Sequence, residues 1–161
     1  MQQRPSLSTL VRGRPARGFT LVELLAVLGI LALLVAMATP MAELTVRRER
    51  ESDLKHALWE IRDAIDAYKR MSDAGLIAPT PSGYPPNLQV LVDGVTTTSS
   101  TRVYFLRRLP VDPFADPATG GAWGLRSYAS SADHPAPGDD VYDVYSTSSS
   151  TGLNGVPLRQ W

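Results

Sequence analysis

The sequence predicts an α+β fold: one long N-terminal α-helix packed on a small antiparallel β-sheet head. Three observations predict it. Pro40 is the only one of thirteen prolines between residues 19 and 74. Proline inside a helix costs ~3 kcal/mol, so a long helix has room only there. That span is apolar in its first half and amphipathic at helical spacing in its second. Beyond Gly75 the chain fills with Gly, Pro, Ser, Thr and Asp around short β-prone runs.

The first block, residues 1–18, holds Arg4, Arg12, Arg14 and Arg17 and no acid. The second, residues 19–42, carries one charge, Glu23. Phe19 to Met41 counts 23 residues, and ~20 mostly apolar residues cross a hydrocarbon core. A helix apolar all round has to be buried somewhere, so this block reads as a membrane span. Positive flanks stay in the cytoplasm, which puts the N-terminus inside and the C-terminal body outside. Arg47, Arg48 and Arg50 on the far flank oppose that orientation. A carboxylate in a span costs ~3 kcal/mol and usually has a functional partner. No Lys or Arg lies between Arg17 and Arg47. A cation for Glu23 must therefore come from a new amino terminus or another chain. The alternative is that Glu23 lies near the membrane surface and is solvated.

The third block, residues 43–74, continues the helix. Leu54, Leu58, Ile61, Ile65 and Tyr68 recur at steps of three and four, with Ala57 and Ala64 widening the stripe. Gly75 is a natural stop, and Pro79 and Pro81 prevent resumption. A helix over 19–74 would be ~84 Å long, a stem with a head on its lower part. The run Arg47–Asp53 reads as a solvated neck.

The head covers residues 75–161. Leu88–Val92 reads as a short helix or strand. Trp123–Tyr128 and Val141–Tyr145 read as strands, with turns at Ala118–Gly121 and Ala136–Asp139. Three or four short strands over one helix make a small α+β head.

Composition excludes several functions. The chain has 161 residues, room for one ordinary domain with an appendage. Lys plus Arg and Asp plus Glu each number 16, so no basic footprint calls for nucleic acid. With no Cys there is no disulfide, thiolate metal site or Cys nucleophile. His56 and His134 are the only histidines, too few for a multi-His metal site. Neither has a nucleophile at motif spacing, and no phosphate-binding Gly-rich loop is present, so no catalysis is expected.

The stretch Arg17-Gly18-Phe19-Thr20-Leu21-Val22-Glu23-Leu24-Leu25 resembles the signal of type IV pilin and pseudopilin precursors. In that family a prepilin peptidase cuts after the glycine and methylates the new first residue. The resemblance implies cleavage between Gly18 and Phe19 and N-methylation of Phe19. Glu23 becomes the fifth residue, the family's acidic position for assembly, and Pro40 the twenty-second, where a helix-kinking proline is common. The family is thought to pair that carboxylate with a neighbour's amine. A competing secretory pattern, Ala36-Met37-Ala38, would instead start the mature chain at Thr39.

The head narrows the resemblance. Tyr84-Pro85, Leu109-Pro110-Val111-Asp112-Pro113-Phe114, Trp123-Gly124 and Val141-Tyr142-Asp143-Val144-Tyr145-Ser146 look like the major (G-type) pseudopilin of type II secretion. The lack of Cys fits a pseudopilin better than a pilin with a C-terminal disulfide loop. The resemblance implies a structural subunit of a periplasmic pseudopilus that drives protein export across the outer membrane. Its implied partners are the prepilin peptidase, further copies of the chain, other pseudopilins, the inner-membrane assembly platform and lipid, with no nucleic acid. A minor pilin-like subunit of a type IV pilus or DNA-uptake system is the alternative, and a solitary membrane-anchored periplasmic domain a third reading. No cofactor is expected. Calcium, which the resemblance makes possible in the C-terminal loop, would find hydroxyls but no carboxylate between Ser146 and Gly152. Removal of residues 1–18 would leave 12 bases against 16 acids.

Overall fold

The structure, a computed structural model, describes residues 18–116 and 121–161. The side chains of residues 37–42 fall outside the description. So do the basic leader up to Arg17, most of the turn expected at Ala118–Gly121 and the side chain of Pro40, where a kink is expected. The chain divides into two compact units, residues 1–42 and 43–161.

The long helix α1 runs from Leu21 to Asp73, 53 residues against the 56 expected. It is followed by α2 (Gln89–Asp93), β1 (Val95–Thr96), β2 (Arg102–Val103), β3 (Gly124–Arg126) and β4 (Asp143–Tyr145). The expected α+β architecture is therefore observed. The sheet content is two antiparallel pairs rather than one sheet, β1 with β2 and β3 with β4. β3 and β4 are shorter than the runs Trp123–Tyr128 and Val141–Tyr145, and β1 and β2 lie where no strand was expected. Val141 and Tyr142 stand just outside β4, although their amides still bond the carbonyls of Pro85 and Arg126, at 2.8 and 2.9 Å.

In the first unit the described side chains of α1 are exposed and apolar, from Leu21 through Val35, with Glu23 the only charge among them. Among the described residues no helix is long and apolar enough to cross a membrane. The described stretch Leu21–Ala36 would rise ~24 Å, less than the ~30 Å of a hydrocarbon core. The expected span continues into residues 37–42, outside the described side chains.

In the second unit the helical stripe forms the core. Leu54, Ala57, Leu58, Ile61, Ala64, Ile65 and Tyr68 are buried against Ile77, Leu88, Leu91, Leu106, Trp123, Val141, Val144 and Leu158. Spacings of three and four put the first group on one face of α1, and the head closes over that face. The helix ends where Gly75 predicts. Gly75 takes a φ of 68°, and its amide bonds the Ser72 carbonyl while that of Leu76 bonds the Met71 carbonyl, both at 3.0 Å. This 6→1 and 5→2 pair is a Schellman closure, which needs a left-handed residue at the Gly75 position.

The β3–β4 pair sets Gly124 opposite Tyr145, Leu125 opposite Val144 and Arg126 opposite Asp143. A Cβ on Gly124 would lie 2.3 Å from the Tyr145 ring, so the strands approach this closely only with glycine there. Trp123 donates its indole N–H to the Pro110 carbonyl at 2.8 Å, tying β3 to the 109–114 segment.

Burial raises the Tyr68 phenol above its ordinary value of 10.0. Tyr84 moves the same way, from burial first and then its neighbour Tyr142. A raised folded pKa leaves the contribution intact below the unfolded value and loses it as pH rises through the folded one. Stability of the head is therefore expected to fall above about pH 10, and Tyr68→Phe to flatten part of that fall. Thermal melts from pH 8 to 11 check it; an unchanged alkaline slope in Tyr68→Phe contradicts it.

Candidate functional site: the amino-terminal processing segment

Three of the four residues expected to carry function lie within six positions. Gly18, Phe19 and Thr20 are exposed and outside any regular element, and α1 begins at the next residue. Thr20 holds that boundary. Its carbonyl accepts the amide of Leu24 at 3.1 Å, the first rung of the helix. Its hydroxyl accepts the amide of Glu23 at 3.2 Å. A threonine hydroxyl bonding the amide three residues on is an N-cap, and Thr-x-x-Glu is the sequence form of a capping box. Glu23 is exposed in the first turn, where the helix dipole favours negative charge. Sequence reasoning missed Thr20, though its signal was present three positions before Glu23. Pro40 lies on the same helix, seventeen residues beyond Glu23, and is not among the described side chains.

The head holds a second group of polar side chains, and one expectation changes there. The run Arg47–Asp53 is not a wholly solvated neck. Glu51 is buried and accepts the amide of Leu153 at 2.8 Å, while Arg47 lies 3.6 Å from Glu51 and donates to the carbonyl of Thr151. Both hold the C-terminal loop. Glu51 is one turn ahead of Leu54 on the buried stripe, so its spacing explains its burial.

Asp143 accepts Arg62 Nε at 2.8 Å and lies 3.6 Å from Arg126. Arg62 also donates to the carbonyls of Val144 and Trp161, at 3.1 and 2.8 Å.

Two carboxylates of the head, Asp112 and Asp140, are engaged by protein donors. Asp112 is buried and accepts the Ser146 hydroxyl at 2.6 Å and the Phe114 amide at 2.8 Å. Asp140 accepts the Tyr128 amide at 2.8 Å. Among the described residues no three His, Asp or Glu side chains are grouped as a metal ion would need. Ser146, read as part of a hydroxyl-rich loop, is fully buried. Ser146→Ala should leave a buried carboxylate short of one donor, a loss of ~1–2 kcal/mol. Urea unfolding of the variant measures it; a change below 0.3 kcal/mol, roughly the scatter of such data, contradicts the pairing.

His56 lines a cleft between α1 and residues 108–111, with Asp53, Glu60 and Arg108. The rest of the lining is Ala57, Leu109, Pro110 and Val111. The His134 amide bonds the Ser131 hydroxyl in an exposed loop.

Residues 13–39 match the family described as the prokaryotic N-terminal methylation motif. The match spans Gly18, Phe19, Thr20 and Glu23 and leaves the head outside it. No curated protein and no solved structure matches the chain.

Proposed function

We propose that the chain is a pilin-like structural subunit, and within that class a pseudopilin of type II secretion. The observation that carries the reading is the methylation-motif match over residues 13–39. The α+β architecture, with a long N-terminal helix before small antiparallel sheets, supports it. The finer assignment rests on the resemblance of the head sequence to the major pseudopilin.

In this reading residues 1–18 are a basic leader and residues 19–42 anchor the chain in the inner membrane. Residues 43–74 continue the helix and 75–161 form a periplasmic head. A prepilin peptidase cuts between Gly18 and Phe19 and methylates the Phe19 amine. The apolar helix then leaves the bilayer for a bundle of like helices. The exchange is near neutral for apolar side chains, because lipid tails and leucines are equally apolar. Polar groups therefore decide register. Glu23, costly alone in an apolar surround, meets the amine of a neighbouring copy, and Pro40 lets the helix bend as it packs. The protein acts as a building block and an enzyme's substrate.

Deletion in the native host tests the finer assignment. The expected result is loss of exoenzyme secretion with motility and DNA uptake intact. Loss of twitching or transformation with normal secretion would assign the subunit to a pilus system instead. Sheared filaments containing the processed chain are expected on overproduction, and their absence contradicts polymerisation.

A further inference from the structure

Cleavage after Gly18 is amide hydrolysis. One water adds to the Gly18 carbonyl carbon, the bond to the Phe19 nitrogen breaks, and a proton passes to the leaving amine. The carbonyl must be open to attack. Inside an α-helix each carbonyl accepts the amide four residues on. A helix starting at Gly18 would tie its carbonyl to the Val22 amide.

The sequence before α1 offers little else to stop the helix there. Phe19 has middling helix propensity, and Gly18 resists helix by only ~1 kcal/mol. What ends the helix in the structure is Thr20, whose hydroxyl takes the Glu23 amide and whose carbonyl takes the Leu24 amide. Gly18 and Phe19 consequently precede the first helical hydrogen bond and are exposed.

We propose that Thr20 is a positioning residue for processing: its N-cap bond keeps the Gly18–Phe19 peptide outside α1 and open to a peptidase. The inference rests on the reading that cleavage occurs at that bond. The cap donor is the backbone amide of Glu23, so this role is separate from anything the Glu23 carboxylate does in a polymer.

The hydroxyl alone distinguishes serine from alanine at this position, and alanine is also the best helix former. Full-length precursor in membrane vesicles, given a purified prepilin-type peptidase, is assayed for initial cleavage rate by intact mass. Thr20→Ser is expected within twofold of the unchanged chain. Thr20→Ala is expected about fivefold slower, the factor that a cap worth ~1 kcal/mol represents.

Adding Leu21→Pro to Thr20→Ala should restore the rate. Proline is favoured at the first helical position and keeps the residue before it out of the helical region. Equal rates for Thr20→Ala and Thr20→Ser overturn the proposal. A slow Thr20→Ala that Leu21→Pro does not restore also overturns it, because the hydroxyl would then be acting on the peptidase directly. An unchanged chain that is never cut after Gly18 overturns the cleavage reading itself, whatever the variants do.

Discussion

Glu23→Ala is expected to abolish filament formation while leaving cleavage at Gly18 within about twofold of normal, because the helix cap keeps both its partners. Without the carboxylate, each neighbour's Phe19 amine would sit unpaired in an apolar bundle. Removing one partner of a buried pair costs ~3–5 kcal/mol, or over a hundredfold in affinity at every subunit interface. A polymer repeats that loss at each addition, so the expected phenotype is absence rather than shortening. Glu23→Gln should fail as well, since the amide carries no charge for the amine to meet. Processing survives because the Thr20 cap uses the Glu23 backbone amide, which alanine retains. Sheared-filament yield and the mass of the membrane-extracted chain measure the two effects separately. Normal filaments from Glu23→Ala would remove the carboxylate from any role in assembly.

Arg62→Ala is expected to destabilise the head by ~3 kcal/mol. The guanidinium bridges α1 to Asp143 and Val144 of β4 and to the Trp161 carbonyl. Its loss leaves Asp143 with Arg126 at 3.6 Å and removes a donor from two carbonyls. The pair is only partly buried, so the expected loss sits at the low end of what a broken buried pair costs. Arg62→Lys should recover less than half, because an ammonium does not reproduce the planar fork. For a unit of this size the expected fall in Tm is roughly 10 °C. A fall under about 2 °C would mean the bridge is solvent-screened and adds little.

These two residues were not equally visible in the sequence. Glu23 stands out because it is the only charge in an apolar run, a contrast that needs no structure. The buried stripe from Leu54 to Tyr68 and the stop at Gly75 were equally legible, because helical period and a left-handed closure are local. Arg62 was not, because its partners are 81 to 99 positions away. No local pattern tells a charge that bridges from one that is solvated. Asp112 and Ser146 failed for the same reason, joined across 34 positions. β3 and β4 were legible as β-prone runs, whereas β1 and β2, two residues each, were not, and the pairing into two small sheets depends on contacts between segments. Glu51 and Thr20 were readable and were missed. Glu51 lies on the period of the stripe, and Thr20 opens a Thr-x-x-Glu box.

Every step proposed for assembly depends on prior processing between Gly18 and Phe19. Intact mass and N-terminal sequencing of the protein extracted from its native membrane decide whether that processing occurs. The expected chain begins at Phe19 with one methyl group on its amine. A chain beginning at Thr39, or one still carrying residues 1–18 in cells that contain the peptidase, would contradict it.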